Sequence, residues 1–348
     1  MQRKPLGRTG VTVPILTMGT MTFGEQNTEA EGHAQLDMAL EHGLDFLDTA
    51  ELYSIPPRPE TAGSTETIIG TWLKARGNRD KVLIATKMVG RTAMNWFREG
   101  GEKGRITPEQ IDYAVENSLR RLQTDHIDLY QMHWPDRAVQ LFGEMCIRDR
   151  DYPLDFTPFE VILEAMGRHV EKGNIRWIGL SNETAWGVMR FVAEAEKRGL
   201  PRIASIQNAY NLVNRTFETG LAECALREDV SLLAYSPLGQ GYLTGKYQNG
   251  ALPVGSRKQL FQRLGRYEGP GADAAIQSYL DLAAERGLTP EQLAIKFCAT
   301  RSFVTSTIIG ATTLAQLEAD IRALDAPWDD ELEKAVVRLH ATCPNPCP

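Results

Sequence analysis

Eight short runs rich in apolar and β-branched residues alternate with helical patterns, and this alternation constrains the fold of the 348-residue chain more than any other feature. The strand-like runs are 15–19, 44–48, 82–86, 127–132, 175–180, 203–207, 231–235 and 305–309. Helical patterns fill the intervals at 29–42, 65–76, 108–122, 158–172, 184–198, 217–228, 272–286 with 290–300, and 314–324. Thr107-Pro108 and Thr289-Pro290 set a capping threonine before a proline at a helix start. Gly43, Gly199 and Gly287 follow helix ends, where a left-handed residue is wanted. Strand–helix alternation repeated eight times predicts a closed parallel (β/α)8 barrel, a TIM barrel of one domain over residues 1–348. A doubly wound sheet built for a dinucleotide would need Gly-x-Gly-x-x-Gly after its first strand, and that fingerprint is missing. Residues 3–13, with Gly7 and Gly10, predict a small N-terminal hairpin over the barrel floor, and 329–339 an extra C-terminal helix.

Charge and cysteine use narrow the function. A formal net charge of −7 argues against partners that demand a basic face, so neither nucleic acid nor an anionic membrane is expected. No apolar run approaches the length of a membrane span, and the opening Met1-Gln2-Arg3-Lys4-Pro5 leads into no apolar signal region. The 5 cysteines are too scattered for a disulfide framework. Cys224 and Cys298 fall in apolar helical patterns, and Cys343 and Cys347 lack the neighbours of a zinc site, so no metal is expected. A reducing cytoplasm is the compartment these features predict.

In such a barrel the C-terminal ends of the strands converge on one mouth. There the sequence sets Asp48 with Tyr53 just beyond, Lys87, His133, Ser181-Asn182, Gln207, Tyr235-Ser236, and a run from Gly310 to Thr313. Taken singly, Asp48 is a loop cap, Tyr53 a packed aromatic, Lys87 a solvated lysine and His133 a core residue. Converging from successive strands, the four point to acid–base chemistry.

These residues carry a resemblance to the aldo-keto reductases. Leu-Asp48-Thr-Ala-Glu-Leu-Tyr53, Ala-Thr-Lys87, His133-Trp134, Gly179-Leu-Ser181-Asn182, Gln207-Asn208, Tyr235-Ser236-Pro-Leu238-Gly239, Leu243-Thr-Gly-Lys246-Tyr247 and Ile309-Gly310-Ala-Thr312 with Gln316 follow that family's landmarks in order, across nearly the whole chain. The loop Ile55-Pro-Pro-Arg-Pro-Glu-Thr most resembles the bacterial Tas-like branch, and potassium-channel β-subunits are more distant relatives. The resemblance implies NADP(H)-dependent reduction of aldehydes or ketones, with Tyr53 as proton donor, Lys87 lowering its pKa, Asp48 holding Lys87, and His133 orienting the carbonyl. It further implies that Ser181, Asn182 and Gln207 bind the carboxamide of the nicotinamide and that Tyr235 stacks on its ring. Ser236, Leu238, Gly239, Leu243 and Lys246 would hold the pyrophosphate, Arg257 the adenosine phosphate, and Gly310, Thr312 and Gln316 an anion at a helix start. Asp320 stands where relatives often carry an amide near the adenine. Phe23, Trp96 and Trp134 are expected to line a pocket for a small-molecule carbonyl substrate.

Two alternatives stay beside the reductase reading. One is a redox-sensing NADP(H)-binding regulatory subunit with little turnover. The other is an aldolase using Lys87 as a Schiff-base nucleophile, which leaves the nicotinamide groove without a purpose. Residues 138–156 form a loop of uncertain pattern. Within it, Met-Cys-Ile-Arg-Asp-Arg at 145–150 matches one reading frame of a sequencing adapter and reads as foreign to the loop.

Overall fold

The computed structural model describes residues 1–139, 141–142, 154–262 and 265–348. The hexapeptide 145–150 lies outside the described residues. A hairpin of β1 (Arg3–Pro5) and β2 (Thr12–Pro14) precedes a closed barrel. Its strands are β3 (Leu16–Gly19), β4 (Phe46–Asp48), β5 (Leu83–Met88), β6 (Ile127–Met132), β7 (Ile175–Ser181), β8 (Ile203–Ala209), β9 (Ser231–Tyr235) and β10 (Val304–Ile309). Each pairs in parallel with its successor, and β10 returns to β3. The crossovers carry α1 (Glu29–Glu41), α2 (Ser64–Arg76), α3 (Pro108–Leu122), α4 (Phe159–Glu171), α5 (Ala185–Arg198), α6 (Leu221–Glu228), α7 (Arg257–Phe261), α8 (Ala272–Glu285) and α9 (Pro290–Thr300). α10 (Leu314–Arg322) and α11 (Asp330–Thr342) follow the last strand. The predicted single-barrel architecture, its hairpin and its terminal helix are all present.

The boundaries that differ have local causes. The second strand starts at Phe46 rather than residue 44, because the Leu44 amide still donates to Ala39 O and finishes α1. The helix expected over 217–228 is broken at Gly220, whose φ of 88° separates a short turn from α6.

Strand alternation builds the interior in layers. Phe46, Ala85, Leu129 and Leu233 point inward and form an apolar plug with Ala204 and Ile308. Leu6 and Val13, from the hairpin and its turn, seal it below. The seal is close: a Cβ on Gly7 would lie 2.5 Å from the Ala204 carbonyl oxygen, so only glycine fits. Lys4 Nζ ties the hairpin to the start of β10 by donating to Val304 O at 2.6 Å. Two residues further along the same strands, the inward positions are Asp48, Lys87, Gln131 and Tyr235. The period that makes the apolar plug therefore sets a polar layer on top of it.

Candidate active site

The polar layer is organised by one buried ion pair. Lys87 is 0% and Asp48 3% exposed, and Lys87 Nζ donates to Asp48 Oδ2 at 2.8 Å and to Thr49 O at 2.7 Å. The other carboxylate oxygen accepts from Gln207 Nε2 at 2.7 Å and from Gln131 Nε2 at 3.4 Å. Buried charges are tolerated only when paired and hydrogen-bonded in this way. Burial still pushes the Lys87 pKa below the usual lysine range, against the pull of Asp48.

Tyr53 and His133 stand over that pair. Lys87 Nζ lies 5.0 Å from the centre of the Tyr53 ring, and the Tyr53 and His133 rings meet edge to face at 5.6 Å. Burial first, then the negative charge of Asp48 and the neighbouring Tyr235, hold the Tyr53 phenol well above its ordinary pKa. The positive charge of Arg257 opposes that shift. The expectation that Lys87 lowers this pKa is thus corrected: the ammonium directs its hydrogen bonds to Asp48 and Thr49, and burial prevails. Burial and the Lys87 charge drive His133 well below the usual histidine range. At neutral pH both groups are uncharged. His133 Nδ1 is buried and without a hydrogen-bond partner among the described residues.

The later strands form a polar groove beside these groups. Ser181 Oγ donates to Gln207 O at 2.8 Å, and Asn182 Nδ2 to His133 O at 2.9 Å. Asn182 takes a left-handed φ of 52°, and its Oδ1 accepts from the Tyr235 hydroxyl at 2.7 Å. Ser181, Asn182, Gln207 and Tyr235 are thus brought together. The Gln207 amide hydrogens, however, already point to Asp48.

After β9 the chain runs through Ser236, Gly239, Gln240, Gly241 and Gly245 at positive φ, which folds the backbone into tight turns. Lys246 folds back over it: a Cβ on Gly241 would lie 2.7 Å from Lys246 Cε. The amides of Gly239 and Leu243, expected to face a phosphate, donate instead to Ser236 O and Leu238 O. Opposite, Thr313 caps α10, and Gln316 Oε1 accepts from the Thr312 amide and hydroxyl, both at 2.9 Å. Gly310 links this cap to β10. Asp320, 4% exposed, lies on α10 within the field of Lys246. Arg257 opens α7, and its charge is felt at the Tyr53 phenol.

The apolar wall differs in part from expectation. Trp134 is buried 4.9 Å from His133, donates from Nε1 to Arg91 O, and belongs to one cluster with Tyr53, Leu52 and Phe97. Met21 and Ile55 pack on the same cluster. Trp96 is partly exposed and lies tilted against Phe97, with ring centres 5.5 Å apart, and Phe97 is the inward member of the two. Phe23 does not reach the cluster. It is fully buried in the outer core, with its ring against Gly32. Met21, two residues earlier, takes the place assigned to it.

The sequence reading also missed the brace on the Tyr53 loop. Glu51 and Arg98, 4% and 5% exposed, form a two-pronged ion pair at 2.9 and 3.0 Å. Glu51 further accepts from the Val89 amide at 2.7 Å, and its own amide donates to Lys87 O at 3.0 Å. The loop bearing Tyr53 is therefore tied to the strand bearing Lys87. Gln131 was missed as well, although its spacing from Leu129 signals it.

The model of the aldo/keto reductase family matches residues 15–340. The chain is 45% identical to Protein tas of Escherichia coli over the full length of both chains. It is 32% identical to the uncharacterized oxidoreductase YrpG of Bacillus subtilis, covering 95% of this chain and 94% of that one. A probable voltage-gated potassium channel subunit beta of Arabidopsis thaliana is 30% identical, with 93% and 92% covered.

Proposed function

This chain belongs to the aldo/keto reductase family of oxidoreductases, and from that premise we propose that it reduces small aldehydes or ketones to alcohols, with NADPH as hydride source and Tyr53 as proton donor. The observation that carries this reading is a buried phenol set edge to face against a buried imidazole, both above a buried lysine–aspartate pair. A carbonyl oxygen that gains charge needs a donor still holding its proton, and burial keeps the proton on Tyr53. His133, uncharged and with one ring nitrogen unpartnered, is suited to hold the carbonyl oxygen by a hydrogen bond. Once Tyr53 has given up its proton, the charge of Arg257 stabilises the phenolate. Trp134, Leu52 and Ile55 shield the exchange from water.

The groove fits a dinucleotide phosphate. A glycine-rich loop in which a Cβ at Gly241 would displace Lys246, the ammonium of Lys246 and the capped start of α10 are all suited to phosphate. Ser181, Asn182, Gln207 and Tyr235 offer hydroxyl, amide and aromatic groups to a nicotinamide. When bound, NADPH supplies the hydride. The cationic phosphate site favours the phosphorylated cofactor over NADH. A cytoplasmic site of action and a small-molecule partner, rather than nucleic acid, fit the acidic charge. No described helix is long and apolar enough to cross a membrane.

Tyr53→Phe tests the assignment, because it removes one hydroxyl and leaves the groove intact. Single-turnover NADPH oxidation with 4-nitrobenzaldehyde should slow by about two to four orders of magnitude, with cofactor affinity unchanged. A variant keeping most of the wild-type rate would pass the donor role to His133. Similarity to the channel subunits favours a second reading, a redox-sensing subunit with little turnover. Failure to turn over a panel of aldehydes, with cofactor still bound, would select it.

A further inference from the structure

Where this fold withdraws an arginine from water it supplies an acid, as Glu51 for Arg98, Glu66 for Arg121 and Glu183 for Arg137. Arg266 departs from that pattern. It is partly buried, its Nε is sealed from solvent without a hydrogen-bond partner, and no acid among the described residues forms an ion pair with it. The groups around it are the phenols of Tyr235 and Tyr267 and the ring of Phe142, whose centre lies 5.8 Å from its Cζ. None of these supplies a carboxylate. A ring face compensates a guanidinium less than an acid does, and a half-buried cation without an anion is costly to keep.

Two sets of contacts place this cation at the mouth of the barrel. Arg266 lies in the turn Gly265–Tyr267, and Asn211 Nδ2 donates to the Tyr267 hydroxyl at 3.1 Å and to Ser236 O at 2.9 Å. The turn is thereby fixed to the end of β9, beside Tyr235. On the other side, the Phe142 ring beneath the guanidinium meets Trp134 edge to face at 5.9 Å, and Trp134 lies 4.9 Å from His133. Arg266 therefore stands between the aromatic wall over His133 and the strand end that carries Tyr235. We propose that Arg266 is a specificity-determining residue: it selects carbonyl substrates that bear an anionic group, a carboxylate or a phosphate, and holds that group at the mouth while the carbonyl faces Tyr53 and His133. The proposal rests on the reading of the site as a carbonyl reductase and narrows its substrate class.

The chemistry of the side chain suits that role. A guanidinium offers N–H donors in a rigid fork that matches the oxygens of a carboxylate or phosphate, and contact with a ring face uses none of them. Beside Trp134 and Phe142 such a pair is less screened than in open water. The chain's net charge of −7 repels anions at long range, so a preference for them has to come from a local cation. A hydrogen-bonded charge of this kind discriminates by about ten- to hundredfold against a substrate that lacks it.

The experiment compares NADPH oxidation by the full-length protein with three aldehydes: 4-formylbenzoate, 4-formylphenyl phosphate and the uncharged methyl 4-formylbenzoate. Wild type should favour one or both anionic aldehydes over the ester by about tenfold or more in kcat/KM, chiefly through KM, and the preferred aldehyde tells carboxylate from phosphate. Arg266→Gln should bring the ratio of anionic aldehyde to ester close to one, and Arg266→Lys, which keeps the charge, should restore part of it. The wild-type preference should also shrink as salt is raised, a readout that needs no variant. Equal use of all three aldehydes by wild type, a preference that salt leaves unchanged, or an Arg266→Gln ratio equal to wild type would each overturn the selection and leave the reductase reading intact. An equal loss of NADPH affinity in Arg266→Gln, followed by nucleotide fluorescence, would give the cation to the cofactor and overturn the proposal as well. Oxidation of NADPH with none of the three would overturn the reductase reading and the selection together.

Discussion

Replacing Asp48 by asparagine should expose how much of this site depends on one charge. Lys87 Nζ is wholly buried, and its only anionic hydrogen-bond partner among the described residues is Asp48 Oδ2 at 2.8 Å. At that distance, with an effective dielectric constant of about 20, the attraction is about 6 kcal/mol. It offsets a desolvation penalty of several kcal/mol on the ammonium. The asparagine side chain retains an oxygen that can accept from Lys87 and a shape that fills the site, but no charge. The expected loss is about 3–5 kcal/mol of stability at pH 7, the range for a buried pair reduced to one member. The loss should also depend on pH. Burial already holds the Lys87 pKa below its usual value, and removal of Asp48 depresses it further. For a base with a depressed folded-state pKa the unfolded chain binds more protons, so stability rises with pH until the unfolded pKa near 10.4 is reached. Urea unfolding of Asp48→Asn, compared with wild type at neutral and at alkaline pH, should show the deficit shrinking by up to about 1.4 kcal/mol per unit. A deficit that is absent, or the same at every pH, would refute the claim that Asp48 serves Lys87 as a compensating charge.

Three further outcomes follow from the same geometry. Arg98→Met leaves the Glu51 carboxylate buried and unpaired and should cost about 3–5 kcal/mol in denaturant unfolding, whereas the double variant Glu51→Gln/Arg98→Met should lose less than the two single losses added. Gly90→Ala would set a Cβ 2.0 Å from the Trp134 carbonyl oxygen, and it should lower stability by about 1–3 kcal/mol and raise KM for aromatic aldehydes by displacing Trp134. His133, with its pKa depressed, should stay neutral in 15N NMR from pH 8 down past the ordinary histidine range near 6.5. Because the unfolded chain then takes up a proton that the folded chain refuses, stability should fall as pH drops below about 6.5, and His133→Asn should flatten that slope.

What the sequence displays well is whatever follows from a repeat. Strand alternation is local, so the barrel, its mouth and the convergence of Asp48, Lys87, His133 and Tyr235 could be read from spacing alone. The same period would have given Gln131 from Leu129. What it hides depends on loops. Glu51 and Arg98 are 47 residues apart in the chain and meet only because the loop after β5 folds back over the loop after β4. Phe23 and Met21 share one short loop, and nothing in their order says which ring or thioether turns towards the mouth. The amides of Gly239 and Leu243 looked available in a glycine-rich stretch, but positive φ angles close the loop on its own carbonyls.

Electrostatic balance is the least legible layer, because it is decided by burial rather than by residue type. A tyrosine near a lysine suggests a lowered pKa, and in isolation that inference is sound. Here the lysine is itself buried, and its charge is largely matched by Asp48, so the phenol meets a nearly neutral ion pair and loses its water as well. The outcome is a phenol that keeps its proton, the state required of the donor proposed above.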